Sequence, residues 1–298
     1  MLDRRQVSKV ILATAGTCLF GGPKVFAQGN GEWPEKLVAS LQKLESERSG
    51  RLGVAVIDTQ SGTRAGYRAD ERFPMCSTFK LLAAAALLSR VDQGHEQLER
   101  RLKFEVADLV VYSPITKDHA GGDGMTLAEI CEAAITVSDN TAGNLLLATL
   151  GGPAGLTAYA RSLGDTVTRL DRIEPDLNEA VPGDPRDTSS PAAMLSNIRT
   201  LVAGNALAPA SRDRLIGWLV ANKTGDTRLR AGLPRDWRVG DKTGTGERGT
   251  TNDVAVLWPA AGRPPVFVTV YLTGSSPDAA HRNATLAFVG EAVVRSLG

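Results

Sequence analysis

Ser77-Thr78-Phe79-Lys80, running into the alanine- and leucine-rich stretch Leu81 to Leu88, is the part of the chain from which the rest can be read. The stretch predicts a helix, and on a helix positions i and i+3 share a face, so the Lys80 amine can reach the Ser77 hydroxyl. A serine beside a basic amine is a potential activated nucleophile. Alone, the pattern is weak, because most such pairs are a cap followed by a solvated lysine. Two later segments change the reading: Ser138-Asp139-Asn140 follows a helix-like run, and Lys242-Thr243-Gly244 sits beside strand-like sequence. At average composition any one tripeptide arises about once in several thousand residues, so three such elements in this order are not accidental.

Working outward, Pro34 to Arg48 has apolar residues at helical spacing, with Pro34 suited to a first turn. Arg51 to Asp58 is strand-like and closes on the turn Thr59-Gln60-Ser61-Gly62. From about 69 to 219 the pattern is helical, broken by Gly/Pro/Asp loops. Strand character returns at Trp237 to Thr243, Val254 to Trp258 and Val266 to Leu272, before a final helix from about Asp278 to Leu297. Strand-rich ends around a helical middle predict that the two ends meet in one sheet, an α+β arrangement.

The serine–lysine pair, the Ser-Asp-Asn triplet and the Lys-Thr-Gly strand together resemble the class A serine β-lactamases. The resemblance implies an antiparallel five-stranded sheet with covering helices, in residues 28–68 and 220–298, plus an inserted all-α domain, residues 69–219, with the catalytic cleft between them. It implies hydrolysis of the β-lactam amide of penicillins and cephalosporins through a Ser77 acyl-enzyme. In that chemistry Lys80 orients or deprotonates Ser77, and Ser138 relays a proton to the leaving nitrogen. The N–H groups of Ser77 and Thr245 form the oxyanion hole. Asn140 holds Lys80 and the substrate amide, while Asp139 is structural. Arg172-Ile173-Glu174-Pro175-Asp176-Leu177-Asn178 resembles the start of the family's Ω-loop, 172–187, where Glu174 and Asn178 hold the hydrolytic water. In relatives the Glu-Pro bond here is cis, which Pro175 permits. Arg172 and Asp187 match the ion pair at the loop's neck. Whether Lys80 or Glu174 activates Ser77 for acylation stays open.

For the substrate carboxylate the resemblance offers Lys242, Thr243 and Thr245 on the Gly244 strand. Many relatives add an arginine where this chain has Thr251; Arg228 aligns with an alternative source of that guanidinium. Tyr112 matches an aromatic at the cleft mouth. Two rivals share parts of this pattern. A D-alanyl-D-alanine peptidase lacks a Glu174 equivalent, and a β-lactam sensor is normally tethered to a membrane.

The N-terminus reads as a removable secretory signal of residues 1–27. Arg4, Arg5 and Lys9 precede an apolar stretch from Val10 to Phe20, too short to span a bilayer, and Val25-Phe26-Ala27 offers small residues at cleavage spacing. These features imply a periplasmic or secreted protein with no membrane anchor after processing. Asp3 to Lys9 resembles a twin-arginine signal but fits an ordinary basic region equally well. The leader carries four basic residues and one acid, so its removal takes the formal charge from +1 to −2, which invites no nucleic acid. Cys76 and Cys131 remain and read as small buried thiols; some relatives bridge the cysteine at 76 across the site, but the resemblance puts Gly246 at the facing position, which implies that this bridge is absent.

Gly244-Thr245-Gly246-Glu247-Arg248-Gly249 spells the dinucleotide fingerprint, yet the next element, Val254 to Trp258, is strand-like rather than a helix whose N-terminus could meet pyrophosphate. His95, His119 and His281 are scattered, with no ligand spacing for zinc, so no metal or other cofactor is expected. The expected partners are small β-lactam antibiotics and β-lactamase inhibitors, and the resemblance implies a monomer. One threonine at 245 does not determine whether the spectrum extends to oxyimino-cephalosporins or carbapenems.

Overall fold

The computed structural model describes residues 25–28 and 32–298; the basic and apolar parts of the leader lie outside them. The six-stranded antiparallel sheet uses β1 (Val25–Gln28), β2 (Arg51–Asp58) and β3 (Arg64–Tyr67) from the start of the chain. Two-residue strands β4 (Phe73–Pro74) and β7 (Thr188–Ser189) pair with each other, as do β5 (Arg101–Leu102) and β6 (Met125–Thr126). The sheet is completed late by β8 (Arg238–Gly246), β9 (Thr250–Trp258) and β10 (Val266–Thr273), in the order β1-β3-β2-β10-β9-β8. The five expected strands are all present. The sixth, β1, adds an edge to β3 with Ala27 opposite Ala65, and cleavage after Ala27 would leave only Gln28 of it.

β2 and β10 pair from end to end, Arg51 opposite Thr273 and Asp58 opposite Val266, which joins the two ends of the chain at the centre of the sheet. These strands carry near-continuous apolar runs because both faces are covered. On one face α1 (Trp33–Glu47) and α8 (Ala279–Leu297) bury Leu37, Leu41, Leu286 and Val289 against Val54, Val268 and Val270. On the other, Phe73, Val254, Val256 and Phe267 continue into the helical layer. At its centre α2 (Phe79–Asp92) is buried along its whole length from Phe79 to Leu88. A helix apolar all round has to be enclosed on every side. It is surrounded by α3 (Leu127–Thr136), α4 (Asn140–Thr149), α5 (Gly152–Ser162) and α7 (Pro209–Val220). Between the layers, α6 (Pro191–Ala203) starts against β10, where Thr269 Oγ1 donates to Pro191 O at 2.8 Å.

The late strands run longer than their composition suggests. β8 continues through Gly244-Thr245-Gly246 and β9 begins at Thr250, because cross-strand pairing down to Gly246 opposite Thr250 outweighs the weak strand preference of glycine. The apparent dinucleotide fingerprint is thus the tip of a β8–β9 hairpin, with no helix behind it. Cys76 and Cys131 are buried free thiols, and a Cβ added at Gly246 would meet Cys76 Sγ at 2.6 Å, so the two positions do face each other.

Candidate active site

The cleft is a cavity of about 360 Å³ whose lining includes Ser77, Tyr112, Ser138, Asn140, Asn178, Arg228, Thr243 and Thr245, together with Thr224. Beneath it, Lys80 and Lys242 are fully buried and Glu174 is 1% exposed. Ser77 lies in the single 3-10 turn Cys76–Thr78 that leads into α2, which places Lys80 one turn on, on the same face. Ser77 Oγ donates to Glu174 Oε1 at 3.1 Å and accepts from Lys80 Nζ at 3.0 Å, while Lys80 and Glu174 form an ion pair at 3.0 Å. Lys80 Nζ also donates to Asn140 Oδ1 at 2.7 Å and to Ser138 O at 2.8 Å. Glycine at 143 lets α4 come this close, since a Cβ there would stand 2.7 Å from Lys80 Cε.

Burial lowers the Lys80 pKa, and the negative charge of Glu174 opposes that shift. Lys242 is pushed down further, first by burial and then by the like charge of Lys80. Its Nζ donates to Ser138 Oγ at 3.0 Å, so Ser138 bridges the lysines, its carbonyl on one and its hydroxyl on the other. Asp139 caps α4 through Ala142 N at 2.9 Å and accepts from Ile115 N at 3.0 Å and Thr116 N at 2.9 Å. Those bonds tie the loop carrying Tyr112 to the start of α4, the structural part assigned to Asp139. Cys76, Tyr112, Ser138 and Asp187 all have positive φ, between 46° and 64°. Each costs about 1–3 kcal/mol for a residue with a Cβ, and such strain is held only where surrounding structure fixes it.

In the 172–187 loop, Arg172 Nε meets Asp187 Oδ2 at 2.6 Å, and Asp187 Oδ1 accepts the backbone N–H groups of Asp171 at 2.8 Å and Arg172 at 2.9 Å. Removing this buried carboxylate leaves the Arg172 guanidinium with Glu179 alone, at 2.6 Å, and strands two amides. Asp187→Ala is therefore expected to cost about 3 kcal/mol and to make the loop more susceptible to proteolysis. Thermal unfolding and limited digestion check both. The Glu174–Pro175 bond is cis. Asn178 Nδ2 donates to Glu174 Oε2 and, at 3.2 Å, to Pro175 O.

Three residues at the site escaped the sequence reading. Asn144 clamps the Glu174 peptide from both sides, accepting from Glu174 N and donating to Glu174 O, each at 2.9 Å. Its one sequence signal is its place four residues after Asn140, on the same face of α4. Thr224 shares a hydrogen bond of 2.5 Å with Thr243. Arg282, on α8, donates to Thr251 Oγ1 at 2.9 Å, so a guanidinium stands beside Thr251. Arg228 is 8% exposed and donates to Gly244 O and Asn252 O at 2.8 Å and to Thr245 Oγ1 at 2.6 Å, which fixes it at the cleft end of β8. Below the hairpin, burial raises the pKa values of Asp241 and Asp253, and Arg230 pairs with Asp241.

A nucleophilic hydroxyl held between an amine and a carboxylate, a second amine and a guanidinium across the cleft, and a loop carrying the carboxylate together suit transfer of an acyl group from an anionic substrate to water. The comparisons agree. Residues 36–297 match the model of the β-lactamase enzyme family. β-Lactamase CTX-M-8 of Citrobacter amalonaticus is 47% identical over 292 residues, covering 97% of this chain and 98% of its own. β-Lactamase AST-1 of Nocardia asteroides is 53% identical over 256 residues, 86% of this chain and 82% of its own. The solved structure of an ancestral (GNCA) class A β-lactamase has a TM-score of 0.85 at 67% identity, covering 87% of this chain and 99% of that one. A putative class A β-lactamase, PenP, from Rhodopseudomonas palustris has a TM-score of 0.85 at 61% identity, covering 87% and 98%. The chain belongs to the class A serine β-lactamases, enzymes that hydrolyse β-lactams and so give antibiotic resistance.

Proposed function

We propose that Ser77 opens the β-lactam of penicillins and cephalosporins as a covalent acyl-enzyme, and that Glu174 directs water to release it. The observation that carries this reading is the contact of Ser77 Oγ with both Lys80 and Glu174. In acylation, Oγ attacks the lactam carbonyl carbon as its proton passes to Glu174, toward which the hydroxyl already points. The Lys80 ammonium offsets the growing negative charge on Oγ. The N–H groups of Ser77 and Thr245 receive the carbonyl oxygen; one such donor is worth about 10²–10³ in rate. The carbon–nitrogen bond then breaks, and the nitrogen takes the Ser138 proton, which Lys242, 3.0 Å behind it, replaces. The proton that Glu174 took from Ser77 then returns to Lys242 through solvent, which frees the carboxylate. In deacylation Glu174, with Asn178, takes a proton from water; the hydroxide adds to the ester carbonyl, and Ser77 leaves with that proton.

Lys242, Thr243, Thr245 and Arg228 bind the substrate carboxylate, while Asn140 and Tyr112 hold its amide side chain and open end. Removing a charged hydrogen-bond donor typically costs about 1.5–3 kcal/mol. Arg228→Ala is therefore expected to raise KM for carboxylate-bearing substrates by about 10–100-fold, and steady-state kinetics on a penicillin, a cephalosporin and a carbapenem measures it. An unaltered KM on all three removes Arg228 from the site. β-Lactamase inhibitors that carry the same ring and carboxylate enter the same way.

The cleft lies between a sheet domain of residues 28–68 and 220–298 and the helical insert of 69–219, and the enzyme works as a monomer. It is exported to the periplasm or medium after loss of residues 1–27. The composition of that leader supports export, and among the described residues no helix is long and apolar enough to cross a membrane. Rapid quenching of the wild-type enzyme during turnover tests the covalent step. An adduct on Ser77 should form faster than product and vanish when substrate is exhausted, whereas turnover without an adduct, under conditions where deacylation limits the rate, removes it.

A further inference from the structure

A second concavity lies apart from the catalytic cleft. A cavity of about 430 Å³ lies on the far side of the 172–187 loop, bounded by its outer limb, the start of β2 and the β8–β9 turn. Three guanidinium-bearing residues line it: Arg51, Arg72 and Arg248. Arg51 is paired with Glu71 at 2.9 Å. The other two spend their hydrogen bonds on neutral oxygens. Arg72 donates to Val167 O at 2.8 Å and to Thr188 Oγ1 at 3.0 Å, and Arg248 donates to Glu179 O at 3.2 Å. The cavity's carboxylate, Asp184, is already held by Arg186 at 2.6 Å. Two cationic charges therefore face this space without an anionic partner among the described residues. Between them Pro74, Val181 and Pro182 supply apolar wall.

We infer that this cavity is a second binding site, distinct from the catalytic cleft, for an amphipathic organic anion: a carboxylate on an aromatic or aliphatic body. The volume falls within the range of about 300–1,000 Å³ typical of small-molecule sites. Guanidinium groups take carboxylates through paired N–H donors. The prolines and Val181 would cover the apolar body, which a bare inorganic anion lacks.

The test uses the whole enzyme with its cleft first blocked by a boronic acid that adds to Ser77. Binding of 2-naphthoate is then measured by calorimetry and by protein NMR, with neutral 2-naphthylmethanol and inorganic phosphate as comparators. The site requires saturable one-to-one binding of naphthoate to the blocked enzyme, with shifts at Val181, Arg248 and Thr273, and at least tenfold weaker binding of both comparators. Arg72→Gln and Arg248→Gln should each weaken naphthoate at least tenfold, and raising the salt should weaken it further. Arg248 sits on an exposed hairpin turn, so its variant keeps the test meaningful if the Arg72 variant unfolds; thermal melts identify that case. Loss of binding on blocking Ser77, wild-type affinity in the Arg248 variant, equal binding of the neutral alcohol, or no saturable binding would each overturn the assignment.

Discussion

Glu174→Ala is expected to leave the enzyme trapped as its own intermediate, with deacylation slowed by about 10³, near the middle of the range for losing a general base. The carboxylate is 1% exposed and is held at both oxygens, by Asn178 on one and by Ser77 and Lys80 on the other. Without it nothing at that spot can take a proton from water. Acylation should survive by another route. Burial has already lowered the Lys80 pKa, and the charge that most opposes the shift is Glu174 itself. Without that charge the amine's pKa falls further, which makes it a better candidate to take the Ser77 proton. Acylation by the variant should then rise with pH as the Lys80 ammonium loses its proton and level off above that pKa. Single-turnover kinetics separates the two steps, and equal loss in both would assign Glu174 no special part in hydrolysis of the ester.

Ser77→Ala should lower turnover of a chromogenic cephalosporin by roughly 10⁴–10⁶, the scale seen when a catalytic nucleophile is removed elsewhere. Lys80, Ser138, Lys242 and the backbone donors all remain, so binding should survive while the oxygen proposed to form the ester is gone. The variant should still bind substrate with an affinity close to that of the wild type, which separates lost chemistry from lost folding. The Ser77 side chain fills little volume and its two hydrogen bonds join groups that also bond each other, so the melting temperature should change little.

Much of this was legible in the sequence because it is local. The spacing from Ser77 to Lys80, the capping triplet at 138–140 and the unbroken apolar run from Leu81 to Leu88 each act within one or two helical turns. Such short-range patterns survive without knowledge of the fold. β2, β9 and β10 announced themselves as apolar runs, whereas β3, Arg64–Tyr67, has no such run and went unread; β8 and β9 reach further than composition suggests because pairing, not propensity, ends them. What the sequence hid depends on contacts between distant segments. Asn144 matters because α4 faces the 172–187 loop, and a lone asparagine in a helix carries no sign of that. Arg282 reaches Thr251 only because α8 folds back across the hairpin end. The three arginines behind the loop come from positions 51, 72 and 248, which nothing in the chain's order draws together. The extra strand at Val25–Gln28 is likewise a matter of edge pairing with β3, in a segment whose composition speaks for a cleavage site.

The decisive experiment is peptide-level mass spectrometry of Glu174→Ala after brief exposure to benzylpenicillin. One adduct with the full mass of the drug should appear, confined to the peptide containing Ser77, and should persist for minutes while the wild-type enzyme shows none at the same time. An adduct on any other residue, or steady hydrolysis by the variant with Ser77 unmodified throughout, would mean that this serine is not where the ring is opened.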